Sequence, residues 1–200
     1  MSQKLEKWME DIFPGRDQIY EKYSDLPPRE LGIVAASVLD IALAELLSRR
    51  LIDHKKEIES FVGLDGDGRA PCGTFSARIQ LAILTGVIMP DDGEILRCIQ
   101  KIRNILAHRV NVDFLTKDVV TQLRKLHARL INKYVVFNAS GTLCVSPTPL
   151  KEVGDSLGKI AEAGEGLLLA TFCVYQAYFH SLHGQIKRIE RLEVRREVAG

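Results

Sequence analysis

The sequence predicts an all-α fold: a helical bundle, followed by a small β-hairpin and a long C-terminal helix. Three observations carry this. Apolar residues recur at steps of three and four along several separate stretches. A run from Leu168 to Ile189 keeps that step without a break, and 46% of the 200 residues are hydrophobic, enough for one substantial core.

Residues 2 to 25 scatter Trp8, Ile12, Phe13, Ile19 and Tyr20 among charges and are broken by Pro14-Gly15, which reads as short helical pieces laid on the main body. Pro27-Pro28 stops them and primes a new helix start, with Arg29 and Glu30 in its first turn. From Glu30 to about Leu51 the residues Leu31, Val34, Ala35, Val38, Leu39, Ala42 and Leu46 form a wide apolar stripe, which makes this a core helix. A shorter piece spans 55 to 62. The stretch Gly63 to Gly73 is a loop: it lacks the ligand register of a calcium-binding loop, with Arg69 in the way, and the Gly-Lys-Ser/Thr of a phosphate-binding loop.

Thr74 can cap the next helix, Phe75 to about Thr85, with Gly86 suited to the position past its end. That helix is apolar nearly all round, so Arg78 on it needs an acidic partner, and Asp40 is the one expected. After Pro90-Asp91-Asp92-Gly93, the residues Ile95, Ile99, Ile102 and Leu106 lay one apolar face along a helix that ends near His108. Thr116 to about Lys133 is amphipathic, with Val119, Leu123, Leu126 and Leu130 inward and Lys117, Arg124, Lys125, Arg129 and Lys133 outward. Residues 134–137 and 142–145, around Asn138-Ala139-Ser140-Gly141, make the hairpin, and Ser146-Pro147-Thr148-Pro149 is a stiff linker. Two units are expected: a bundle over 1–133, and a hairpin, linker and long helix over 134–200 that packs on the bundle or on a second copy.

Composition narrows the function classes. Lys and Arg number 27 against 26 Asp and Glu, so no global basic field advertises nucleic-acid or membrane binding. Cys72, Cys98, Cys144 and Cys173 are scattered and lack metal-ligand spacing, so they read as reduced thiols, and neither metal nor cofactor is expected. The N-terminus lacks the pattern of a secretory signal, which places the chain in the cytoplasm. Gly166 to Ile186 carries no Asp, Glu, Lys or Arg, but Thr171, Gln176, His180 and His183 suit a buried helix better than a membrane span.

The chemistry concentrates in Arg103-Asn104-Ile105-Leu106-Ala107-His108. On a helix Asn104 and His108 share a face, and a helix ending near Ala107 would let the histidine turn back so that all three polar groups converge. A helix C-terminus favours a cationic histidine, suited to general acid work, and an arginine beside it can hold a phosphate bidentately. Those parts suffice to cleave RNA through its own 2′-hydroxyl, most economically with two motifs facing across a homodimer. The alternative is structural: Arg103 and Asn104 satisfy carbonyls or Asp40, and His108 caps the helix.

Arg103 to His108 resembles the R-x4-H signature of HEPN domains, helical bundles that include metal-independent ribonucleases. A longer resemblance covers about residues 26 to 133. Ala35-Ala36-Ser37-Val38-Leu39-Asp40, then Gly73-Thr74-Phe75-Ser76-Ala77-Arg78, then Lys101 to His108, is similar in content and order to the mannitol operon repressor family. That resemblance implies an all-helical transcriptional regulator. It has no recognisable DNA-reading module, and no basic recognition helix is evident here either. Regulation through a partner protein, RNA or a ligand is then expected, with Arg103, Asn104 and His108 as catalytic candidates and Arg78, Asp40 and Ser76 as binding candidates. A toxin-like endoribonuclease and a non-catalytic interaction scaffold are the rival expectations.

Overall fold

The computed structural model describes residues 22–23, 25–63, 69–109, 111–133 and 157–189. Within them the chain is all-helical: α1 Pro28–Arg50, α2 Lys55–Val62, α3 Phe75–Leu84, α4 Pro90–His108, α5 Lys117–Lys133 and α6 Leu157–Gln185. The expected N-terminal pieces, apart from Lys22 and Tyr23, together with the hairpin and the Pro linker, lie outside the described residues.

α1 is the central element and packs against α2, α3, α4 and α6. Its position explains its composition: Leu31, Ala35, Leu39, Ala42, Leu43, Leu46 and Leu47 are buried on several faces, as a helix with neighbours all round requires. Pro28 sits in its first turn with Glu30, and Arg49 and Arg50 close its last turn, charges placed to suit the helix dipole. α1 is also the one described helix long and apolar enough to cross a membrane, with a mean hydropathy of 1.9 over its best window. In the bundle 61% of that window is buried, and the helix carries Asp40 and Glu45 in side-chain ion pairs.

Local signals set the other boundaries. α2 ends where Gly63 adopts the left-handed conformation, at φ 70°. Thr74 caps α3 as its sequence suggests, its Oγ1 accepting from the Ala77 N–H at 3.2 Å. Asp92 closes the first turn of α4, where its Oδ2 accepts from the Met89 N–H at 3.2 Å. Gly32 of α1 faces Leu106 of α4 so closely that an added Cβ would overlap the Leu106 Cδ1, so the missing side chain is what lets these helices approach.

α4 and α5 form an antiparallel pair, pinned by Arg109–Asp118 at one end and Arg129–Glu94 at the other. Between them Asp113 Oδ1 accepts from the Leu115 N–H at 2.9 Å, and Phe114 is driven into the core. The apolar seam of α6 docks on the chain's own bundle. Leu168, Phe172, Tyr175 and Phe179 are fully buried in one core cluster with α1, α3, α4 and α5. Beyond α6 the chain is tied to α1: Ile189 N–H donates to the Arg50 carbonyl, and Arg50 Nη1 donates to the Lys187 carbonyl, both at 2.8 Å.

Candidate functional site

One residue from each of the three sequence blocks meets in the middle of the bundle. Arg78 is 6% exposed, and its guanidinium is consumed by its surroundings. Nη1 donates to Asp40 Oδ1 at 2.7 Å, Nη2 to the Val62 and Gly63 carbonyls at 2.8 and 3.2 Å, and Nε to the Cys72 carbonyl at 3.0 Å. The ion pair expected from sequence is therefore present, and it does more than join two helices: it also holds both ends of the 63–72 loop. Burial pushes the Asp40 carboxyl above its ordinary range, while Arg78 and then Arg103 pull it back. Burial likewise raises the Cys72 thiol, with Arg78 opposing. Ser76, two residues before Arg78, is exposed on another face of α3, apart from the pair.

Of the R-x4-H groups, only Arg103 and Asn104 are bonded to each other within one copy. α4 runs through His108, and only Arg109 turns to extended backbone, so the histidine stays on the helix instead of folding back. Arg103 is half-buried, within electrostatic reach of Asp40, and its Nη1 donates to Asn104 Oδ1 at 3.1 Å. His108 is exposed, and among the described residues no hydrogen bond or ion pair joins it to Arg103 or Asn104. A cation and an amide are thus bonded to each other on α4, and the imidazole stands exposed one turn further on without a bond to either.

What does open beside the motif is a groove between α4 and α5, with a volume of about 310 Å³. Lys101, Asn104 and Ile105 line it from α4 and Asp118, Thr121 and Gln122 from α5, with Arg109 at its end. Arg109 Nη1 and Asp118 Oδ2 close that end at 2.6 Å. The Gln122 Oε1 is buried and has no hydrogen-bond partner among the described residues. Sequence reasoning placed Asn104 on the motif but missed this wall. Its signal was the polar set Asp118, Thr121 and Gln122, one helical face interrupting an otherwise amphipathic pattern.

Two buried polar contacts on α6 also went unread. Tyr175 donates its phenol to Asp92 Oδ1 at 2.8 Å, and His183 Nε2 lies 3.8 Å from Glu45 Oε1. Burial first, then Arg49 and His180, lower the His183 imidazole to about 4. Among the described residues no group of His, Cys, Asp and Glu is arranged to hold a metal ion. No known family, curated protein or solved structure matches the chain.

Proposed function

We propose that this chain is a cytoplasmic regulator of the mannitol-operon-repressor type, working by binding a protein, RNA or ligand, with no DNA-reading module and no cleavage of RNA. The observation that carries the reading is the division of the polar motif. Arg103 bonds Asn104 and lies within electrostatic reach of Asp40, Asn104 also lines the α4–α5 groove, and His108 stands exposed at the helix end without a bond to either. A pre-organised nuclease centre needs those groups on one reacting atom. The resemblance supports the regulatory side, since Asp40, Arg78 and Arg103, one from each block, form a single electrostatic cluster.

Incubating the purified chain with RNA in EDTA, beside His108→Ala and Arg103→Ala, tests the absence of cleavage. All three proteins are expected to leave RNA intact. Affinity capture with the full chain is expected to recover a transcription-related protein or a defined RNA, and recovery of neither refutes regulation by those partners.

The second reading is a toxin-like HEPN endoribonuclease built across a homodimer. One observation favours it: His108 is exposed on the helical face it shares with Asn104, where a second copy can reach both. Cleavage by the wild type that His108→Ala abolishes would establish this reading and remove the first. Sedimentation of the intact chain then reads the dimer directly.

A further inference from the structure

The near neutrality of the chain is an average over two unlike parts. Residues 97–133 hold nine Lys and Arg against two acids, Asp113 and Asp118, a local charge of +7 within a net charge of +1, so the remainder is acidic. α5 presents much of that excess to solvent. Lys117, Thr121, Arg124, Lys125 and Ala128 are exposed and lie within about 100° of one another around the helix axis. Asp118 and Arg129 flank them on the side toward α4, where they pair with Arg109 and Glu94. Lys117, Arg124 and Lys125 have no carboxylate partner among the described residues. Lys125 and Arg129 stand four apart, a like-charge spacing that weakens a helix. Packing and helix stability give no reason for such a face; an anionic partner does.

The face also narrows which anion. No aromatic or large apolar side chain is exposed on the described part of α5, so a protein partner would find no apolar anchor there. The apolar side of the helix, with Val119, Leu123, Leu126 and Leu130, is buried in the core and is not free to enter a lipid surface. An unpaired nucleic-acid strand would find no ring for its bases to stack on. A double helix, with its bases paired away and its charge repeated every few ångströms, needs neither anchor nor ring. Phosphate contacts alone choose no DNA operator, whereas an RNA stem is recognised largely by its shape and its backbone.

We propose that the exposed face of α5 docks a double-helical RNA stem, with Lys117, Arg124 and Lys125 on its phosphates. Docking stands on this face alone; calling the RNA the regulatory partner rests on the reading above.

Fluorescence anisotropy of the full chain with a labelled RNA hairpin in EDTA, over a salt series, tests it. The hairpin is expected to bind saturably, with a logarithmic salt slope of about −2.7 for three phosphate contacts, a loss of about fortyfold between about 50 and 200 mM. Replacing Lys117, Arg124 and Lys125 together by alanine, a strong helix former, should keep the helix content, remove most of the slope and weaken binding tenfold or more at about 50 mM salt. Replacing Arg29, Lys55 and Lys56 by alanine takes the same charge from exposed positions on α1 and α2, and should keep both affinity and slope. No saturable binding at about 50 mM salt, or equal weakening by the two triple variants, overturns the face. Equal or tighter binding of the matching DNA duplex, of the unpaired strand or of phosphatidylserine vesicles overturns the RNA stem as its occupant. If the hairpin fails to bind while affinity capture recovers a transcription-related protein, the face falls and the regulatory reading stands. If the hairpin binds and is cleaved, the face stands and that reading falls.

Discussion

Replacing Arg78 by alanine is expected to be among the most damaging single changes in the bundle. The substitution removes the Asp40 pair at 2.7 Å and strips three buried carbonyls, those of Val62, Gly63 and Cys72, of donors from one guanidinium. Breaking a buried pair by deleting one partner costs about 3 to 5 kcal/mol, and about 4 is expected here because Asp40 retains some solvent contact. For a chain of this size each kcal/mol lowers the melting temperature by about 2 to 4 °C, so the midpoint should fall by roughly 12 °C. Far-UV circular dichroism on heating and in urea reads it. Lysine should not rescue, since one ammonium cannot reproduce the guanidinium's planar fork toward four acceptors. The exposed Arg129–Glu94 pair is the control, and Arg129→Ala should cost less than about 1 kcal/mol. An Arg78→Ala protein within about 1 kcal/mol of wild type, or a wild-type-like Arg78→Lys, would refute the reasoning.

Three other outcomes follow from the packing. The His183 imidazole, lowered from 6.5 to about 4 in the fold, favours the unfolded chain as protons are added. Its contribution is complete above pH 6.5 and is lost as the pH falls toward about 4. The stability of the wild type, read from urea unfolding, should therefore fall relative to that of His183→Gln on acidification, by on the order of 1 to 2 kcal/mol after solvent screening. Tyr175→Phe deletes the phenol donor to Asp92, a carboxylate only 2% exposed, and should cost about 1.5 to 3 kcal/mol in chemical denaturation. Gly32→Val should drive α1 and α4 apart at Leu106 and cost about 1 to 3 kcal/mol, and Leu106→Ala in the same chain should recover part of that loss.

Much of this architecture was legible because it is written locally. Apolar steps of three and four gave α1, α4 and α5 to within a residue or two, Thr74 and Gly86 marked the ends of α3, and a buried arginine on an apolar helix demanded the carboxylate it found in Asp40. The long seam of α6 declared its inward face but not its partner, because periodicity carries no address; the answer was α1 of the same chain. The polar contacts of α6 were invisible for the same reason, since Tyr175 and Asp92 are separated by 83 positions. The site was half legible. Helical geometry placed Asn104 and His108 on one face, but whether α4 stopped at Ala107 or ran on through His108 sets where the imidazole stands, and one residue of helix lies below what spacing resolves. The groove wall needed the register between α4 and α5, a tertiary quantity.

The place of α1 at the hub has a consequence for how the chain comes to be. α1 is complete once residue 50 leaves the ribosome, but the helix that covers much of it begins only at Leu157. During synthesis a long apolar surface therefore waits, and contacts between such distant segments are slow to form and open to capture by other sticky surfaces. A chain cut after Lys133 would keep the motif, the groove and the Arg78 cluster but expose the α1 surface beneath Leu168, Phe172 and Phe179. Such a fragment should precipitate or recruit chaperones, so the smallest soluble unit carrying the groove needs its last long helix.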